Sequence, residues 1–176
     1  KSPPVRQAEI LSECGARQML ADDALRPSAD GLGVRRLEVG TFDGLPDRNP
    51  ETRLSPDALM AIYFTSGTTG RPKGICRSHR QGIFEARLYI RTLEVTSADR
   101  LLMPVSFTFG ASTRYTFGAW LSGATLCPVA PDSVGVAGLV RFAREVGATL
   151  YYSTPSLFRH ICRAIPEESP LDAIRA

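Results

Sequence analysis

A stretch of ten residues rich in glycine and hydroxyl side chains is the part of this sequence best suited to chemistry. Glycine lets a backbone approach a ligand closely, hydroxyl groups donate hydrogen bonds, and successive N–H groups in such turns form an anion-binding concavity. Arg71 and Lys73 add positive charge. These features predict a polyphosphate-binding loop, and its residues are Thr65, Ser66, Gly67, Thr68, Thr69, Gly70, Arg71, Pro72 and Lys73, followed by Gly74.

Lysine usage adds a smaller hint. Of 21 basic residues only Lys1 and Lys73 are lysines. The presence of Lys73 in the glycine-rich loop therefore favours a specific role for its ammonium group, and a chance placement is the alternative. Two common phosphate-binding motifs are absent. The P-loop needs lysine after its second glycine, where Arg71 stands, and no G-x-G-x-x-G occurs. An ordinary surface turn is the other interpretation, but the string is too specific to favour it.

The run from Tyr63 to Gly74 resembles the signature Y-T-S-G-T-T-G-x-P-K-G of the adenylate-forming superfamily, with one extra aromatic residue, Phe64. Acyl-CoA synthetases, luciferases and the adenylation domains of non-ribosomal peptide synthetases belong to it. The resemblance extends over essentially the whole chain, through Pro4–Ala16, Ser78–Arg80, Phe107–Ser112, Leu121–Ala124, Thr154–Leu157 and Leu171–Arg175.

The resemblance implies that the loop holds the β- and γ-phosphates of ATP, accompanied by Mg²⁺. The substrate carboxylate would attack the α-phosphorus and pyrophosphate would leave. The acyl group would then pass to a thiol, either of coenzyme A or of a carrier-protein phosphopantetheine. Lys73 would act as a charge partner, and no residue of this sequence is assigned as catalytic. Positioning and charge neutralisation are the main contributions such a loop can make.

The resemblance also bears on the carboxylic acid. Members that activate amino acids carry an aspartate in an F-D-x-S motif that anchors the substrate ammonium. The matching position here is Gly110, in Phe109-Gly110-Ala111-Ser112. Glycine cannot pair with a buried ammonium, so we expect a fatty, aryl or keto acid. Phe109 and Gly110 are the candidate substrate-pocket residues, whereas Phe107 and Phe117 are expected in the core.

Residues 1–176 are interpreted as part of the larger, amino-terminal lobe of an AMP-binding domain. The family's Y-G-x-T-E segment, ribose-binding aspartate and small mobile lobe have no counterpart here. We therefore expect little or no adenylation by this chain alone. The alternative is a truncated or split module that folds or acts only with the missing part.

Composition fits a globular α/β chain: 43% of the 176 residues are hydrophobic and the net charge is +3. That small charge, without a basic stripe, does not favour nucleic acid. No apolar run reaches membrane-spanning length and no signal peptide is evident, so a cytoplasmic location is expected. The scattered cysteines predict no metal or redox site and suggest buried or half-buried thiols. His79 is assigned to a helix start and His160 to packing or surface; neither is assigned to a metal.

The pattern predicts alternating strands and helices, hence a mostly parallel sheet flanked by helices. Residues 41–57 are rich in turn formers and predict a surface loop. Ser78 and Gln81 have capping-box spacing, and Thr154-Pro155 predicts another helix start. Predicted helices cover Ala8–Cys14, a segment from Ser78, Ala111–Leu121, Ser133–Val146 and a segment from Thr154; predicted strands cover Arg17–Leu20, Arg36–Val39, a buried Leu59–Phe64, Leu101–Val105, Ala124–Val129 and Thr149–Tyr152.

Overall fold

The structure, a computed structural model, describes residues 3–21, 32–38, 44, 46–66, 72–107, 109–165 and 173–175. It divides into two compact units, Lys1–Arg77 and Ser78–Ala176.

The first unit holds one helix and two small pairs of strands. Helix α1 begins with proline at its first position, where the missing N–H costs nothing, and ends at Gly15 in the left-handed region (φ 62°). Strands β1 and β2 pair in parallel, with Gln18 opposite Arg35. The elements are α1 (Pro4–Cys14), β1 (Gln18–Ala21), β2 (Arg35–Glu38), β3 (Leu59–Ser66) and β4 (Pro72–Ser78).

Strands β3 and β4 are neighbours in a two-stranded sheet and flank the predicted loop. The strand predicted at Leu59–Phe64 exists and extends to Ser66, but its prediction as buried is wrong, since Leu59 is 56% exposed. A two-stranded sheet cannot cover both of its faces. Strand β4 was not predicted, because polar residues interrupt any apolar run in it. Residues 46–57 lie outside helices and strands and are exposed.

The second unit is a three-stranded parallel sheet with the strand order β6-β5-β7 and helices between successive strands. This confirms the predicted α/β class. Arg175 also forms a parallel bridge with Leu150 at the edge of the sheet. The elements are α2 (His79–Leu93), β5 (Arg100–Met103), α3 (Ser112–Ser122), β6 (Thr125–Pro128), α4 (Pro131–Glu145), β7 (Leu150–Tyr151) and α5 (Pro155–Ala164).

The helix starts follow the sequence signals. Ser78 accepts a hydrogen bond from the Gln81 N–H at 3.3 Å, and the Gln81 side chain accepts one from the Ser78 N–H at 3.0 Å. This is the predicted capping box. Thr154 caps α5 through a single bond, in which its hydroxyl accepts from the Leu157 N–H at 3.4 Å. Helix α4 is interrupted at Gly135, whose φ of 64° is not helical.

A hydrophobic core covers both faces of this sheet. Successive strand residues point to opposite faces, so Leu101 and Met103 pack in one cluster and Leu102 in the other. The first cluster joins the sheet to α2 and α3, and the second joins it to α4 and α5. Within the described part of the chain, no helix is long and apolar enough to cross a membrane.

Asp99 is a buried carboxylate at the start of the sheet, with 5% of its surface exposed. It accepts hydrogen bonds from the Thr96 N–H at 2.8 Å and the Thr149 hydroxyl at 2.7 Å. Arg175 Nη2 lies 2.8 Å from its Oδ2. Burial alone raises the pKa of Asp99, but these hydrogen bonds and the Arg175 charge outweigh it, so the pKa lies below its ordinary value of 3.8.

Candidate functional site

The predicted polyphosphate loop is carried by the ends of β3 and β4. Thr65 and Ser66 end β3, and Pro72 and Lys73 begin β4. The Thr65 hydroxyl donates a hydrogen bond to the Lys73 carbonyl at 3.4 Å, and both residues are exposed. The two ends are therefore held together while Thr65 and Lys73 remain open to a ligand. Residues 67–71 of the prediction (Gly67, Thr68, Thr69, Gly70 and Arg71) lie outside the described residues.

Close packing explains why a glycine, Gly74, directly follows the predicted loop. A Cβ placed on Gly74 would lie 3.1 Å from Ile62 Cγ2 and 3.4 Å from the Phe64 ring. Further along the same strands, the Arg77 guanidinium stands 5.7 Å from the centre of the Tyr63 ring, within cation–π range. The strand pair that presents the loop is thus held by side chains as well as by backbone pairing.

A second feature is a cavity of about 670 Å³ in the other unit, where strands β5 and β6 end. Ligands of open α/β sheets commonly bind outside these carboxyl ends. Phe109 lines the cavity and is 60% exposed. Phe107 was expected in the core, but it also lines this cavity and is 57% exposed. Gly110 lies half-buried in the turn that leads into α3.

A smaller cavity of about 290 Å³ lies between α2 and α3 and was not predicted. Arg114, in the first turn of α3, lines it together with Tyr89 and Tyr152. Burial raises the pKa of Tyr89 to about 12, and the nearby Arg114 charge opposes that rise. One sequence signal could have pointed to this cavity. Arg114 places a positive charge in the first turn of a helix, where the helix dipole disfavours a cation.

The other residues singled out in the sequence have ordinary surroundings. His79 is the first residue of α2, and the exposed His160 contacts the Ser156 carbonyl through Nδ1 at 2.9 Å. Cys127 is buried and Cys14 half-buried, but Cys76 and Cys162 are exposed, contrary to expectation. Among the described residues no group of three or more His, Cys, Asp or Glu side chains could hold a metal.

Comparison with curated proteins finds parts of large synthetases. The chain is 28% identical to nonribosomal peptide synthetase 8 of Aspergillus fumigatus over 89% of its own length. It is 32% identical to nonribosomal peptide synthetase apmB of Penicillium brevicompactum over 96% of its length. It spans only 2% and 7% of those two proteins, respectively.

Solved structures with the same fold include parts of nonribosomal peptide synthetases. The nonribosomal peptide synthetase FmoA3, with α-methyl-L-serine-AMP bound, matches 99% of this chain at 28% identity and a TM-score of 0.86, and the match covers 20% of that protein. The N-terminal subdomain of Klebsiella oxytoca NpsA, in complex with 3-hydroxybenzoyl-AMSN, matches 93% at 28% identity and a TM-score of 0.78, covering 41% of that chain.

A sequence profile of AMP-binding enzymes matches residues 1–175, nearly the whole chain. The match includes the strand pair that flanks the predicted polyphosphate loop and the parallel sheet that carries the larger cavity. The chain therefore belongs to the AMP-binding enzyme family.

Proposed function

We propose that this chain provides the ATP-binding loop, and part of the acid pocket, of an enzyme that activates a carboxylic acid as an acyl-adenylate. A carboxylate oxygen of the acid forms a bond to the α-phosphorus of ATP. The bond between that phosphorus and the bridging oxygen breaks, and pyrophosphate leaves with the electron pair. The loop holds the β- and γ-phosphates while this exchange occurs.

The observation that carries the proposal is the position of Thr65 and Lys73. The bond from the Thr65 hydroxyl to the Lys73 carbonyl fixes the two ends of a loop rich in N–H and hydroxyl donors. Lys73 is exposed there and can place its ammonium against a phosphate. Donors fixed in advance stabilise the charge on the leaving pyrophosphate without having to reorganise. In this role Lys73 neutralises charge and does not act as a nucleophile.

Magnesium would enter with ATP. Mg²⁺ at nucleotide sites is bound by one or two carboxylates, substrate phosphates and water. The described residues offer no cluster of ligands for it, so no described side chain is assigned to the metal. Its charge, when bound, would offset that of the phosphates.

For the acid, we propose a compound without an α-ammonium group. Gly110 supplies no carboxylate to pair with one, and an unpaired buried ammonium is costly. Asp132 lines the larger cavity but is exposed to solvent. Phe107 and Phe109 give that cavity apolar, aromatic walls. Similar proteins bind the activated forms of acids with and without an α-amino group. FmoA3 binds α-methyl-L-serine-AMP and NpsA binds 3-hydroxybenzoyl-AMSN.

The acyl group would pass in a second step to a thiol. The relatives named as nonribosomal peptide synthetases, and an artificially fused adenylation–PCP di-domain of NpsA at 30% identity, support carrier-protein phosphopantetheine as the acceptor. Coenzyme A remains the alternative acceptor, and a comparison of the two thiols with the preformed acyl-adenylate would decide between them.

Acid-dependent exchange of labelled pyrophosphate into ATP by the full protein tests the proposal. The panel should contain aryl, fatty, keto and α-amino acids. We expect exchange with at least one of the first three classes and little with α-amino acids. Strong preference for an α-amino acid would overturn the substrate assignment, and loss of that exchange in Asp132→Asn would identify the ammonium's partner. Absence of exchange with every acid would overturn the proposed activity.

A further inference from the structure

Helix α2 presents basic and apolar side chains together at the protein surface. Arg87 and Arg91 are exposed and lie one helical turn apart. Beside them, also one turn apart, Phe84 is 65% exposed and Leu88 is 54% exposed. Neither arginine forms an ion pair with another described residue. Like charges at this spacing destabilise a helix, so the folding of α2 gives no reason for the pair.

Helix α1 carries the opposite charge on a face of similar build. Glu9 and Glu13 are exposed and lie one turn apart, and within the described part of the chain neither forms an ion pair. Val5, one turn before Glu9, is 73% exposed. On α4, by contrast, Arg141 and Glu145 occupy this spacing with opposite charges, 3.7 Å apart. The like-charged pairs of α1 and α2 therefore indicate a partner outside their own helices.

The spacing of the two faces agrees when the helices lie side by side and run in the same direction. Along α1 the exposed valine and the two glutamates follow at intervals of four residues, and along α2 the exposed phenylalanine and the two arginines follow at intervals of three and four. At a rise of about 1.5 Å per residue, this register sets Glu9 opposite Arg87 and Glu13 opposite Arg91. The two apolar residues then face each other.

A cavity of about 440 Å³ beside α1 gives room for the apolar side chains of α2. Its walls are formed by Ala8, Glu9, Ser12 and Glu13 of α1 and by Pro72 at the start of β4. Helices pack by inserting the side chains of one into the grooves of the other. The small, exposed side chains of Ala8 and Ser12 leave such a groove between the glutamates and β4.

Helix α5 is the other element with two exposed arginines one turn apart, Arg159 and Arg163. Its exposed aromatic residue is already in use, because the Phe158 ring stacks on Tyr151 with 6.2 Å between the ring centres. Phe84 of α2 makes no ring contact with any described residue. The face of α2 is therefore the better match for α1.

We infer that α1 of one copy of this protein docks on the exposed face of α2 of a second copy, so that the protein self-associates. The two faces differ, so the contact is heterologous, and it closes into a dimer when it is made twice. A contact between single helices is smaller than a standard protein interface. The association is therefore weak, and salt weakens it further by screening the charges. The inference does not depend on the proposed activity.

Sedimentation equilibrium of the full protein over a range of concentrations tests the inference. We expect the mean molar mass to rise with protein concentration and to fall with added salt. Arg87→Glu combined with Arg91→Glu should weaken the association at least about tenfold, because two acidic faces then meet. Glu9→Arg combined with Glu13→Arg should do the same, because two basic faces then meet. An equimolar mixture of these two variants should associate again, since the reversed α1 meets the reversed α2.

The matched control is Arg159→Glu combined with Arg163→Glu, which reverses the same charges at the same spacing on α5. Its association should stay within about twofold of that of the wild type. If a charge reversal on α1 or α2 prevents folding, the corresponding glutamine variants replace it. Each glutamine pair should weaken the association about 2- to 10-fold.

Three results would overturn the inference. The first is a monomer at every concentration in low salt. The second is an association that the α5 control weakens while the α2 variant does not. The third is a mixture of the reversed variants that stays dissociated although both are folded. A monomer that binds phosphatidylserine vesicles through Arg87 and Arg91 would also overturn it, and would assign the face of α2 to a membrane surface.

Discussion

The two units of this chain bury their side chains to different extents. No residue of Lys1–Arg77 whose side-chain exposure is described is buried, whereas buried residues occur throughout Gly82–Ile161. The first unit carries the predicted polyphosphate loop between the two strands of a small sheet. The second has core on both faces of its sheet. Phosphate binding and folding stability should therefore respond to different mutations.

The largest effect on stability is expected from the core of the second unit. Leu101 is 2% exposed, so Leu101→Ala should lower the free energy of unfolding by about 2–5 kcal/mol through lost burial and a cavity. Urea denaturation of the chain measures this. The matched substitution Leu59→Ala, in the first unit, should cost only about 0.5 kcal/mol. Similar losses of unfolding free energy in Leu101→Ala and Leu59→Ala would contradict the proposed difference in burial between the two units.

The Asp99 cluster should give the next largest effect. Asp99→Asn keeps the shape of the side chain but removes the charge that Arg175 and the two threonines satisfy. We expect a loss of about 1–3 kcal/mol at neutral pH, measured by urea denaturation. Glu145→Gln, which removes an exposed ion pair with Arg141, should cost well under about 1 kcal/mol.

The same carboxylate predicts a pH dependence with a definite sign. Because the pKa of Asp99 is lowered in the folded chain, its stabilisation is present above its ordinary pKa of 3.8. It is lost as the pH falls through the folded-state pKa. The difference in stability between wild type and Asp99→Asn should therefore shrink below about pH 4. A difference that grows on acidification would contradict the assignment.

A smaller effect is expected where α2 begins. Ser78→Ala removes the side-chain acceptor of the capping box and should cost about 1 kcal/mol. Ser156→Ala, at an exposed position in the first turn of α5, serves as the control and should change stability little. If both serines cost the same, the capping box is not what stabilises the start of α2.

Local signals predicted the second unit better than the first. Ser78, Gln81 and Thr154 mark helix starts through bonds to residues three positions away, so the sequence alone shows them. Strand β4 could not be found in this way, because pairing with β3 and not an apolar pattern makes it a strand. Leu59 is exposed because the two-stranded sheet of β3 and β4 has no layer covering both of its faces.

Contacts distant in sequence were the other limit on prediction. The ion pair between Asp99 and Arg175 and the cavity at Arg114 each depend on which elements become neighbours. The pattern of residues within one element does not show which other elements will pack against it. By contrast, the polyphosphate loop was identified as a motif from consecutive residues, since its donors are adjacent in the chain. Its assigned ligand contacts remain a prediction.

The affinity of the full protein for ATP tests the central claim most directly. Lys73→Met should weaken ATP binding about 10- to 100-fold, as expected for loss of a charge-assisted contact. The free energy of unfolding should change by no more than about 0.5 kcal/mol, because Lys73 is exposed. Unchanged ATP affinity in Lys73→Met, measured by calorimetry on the folded variant, would contradict the assignment of this loop as the polyphosphate site.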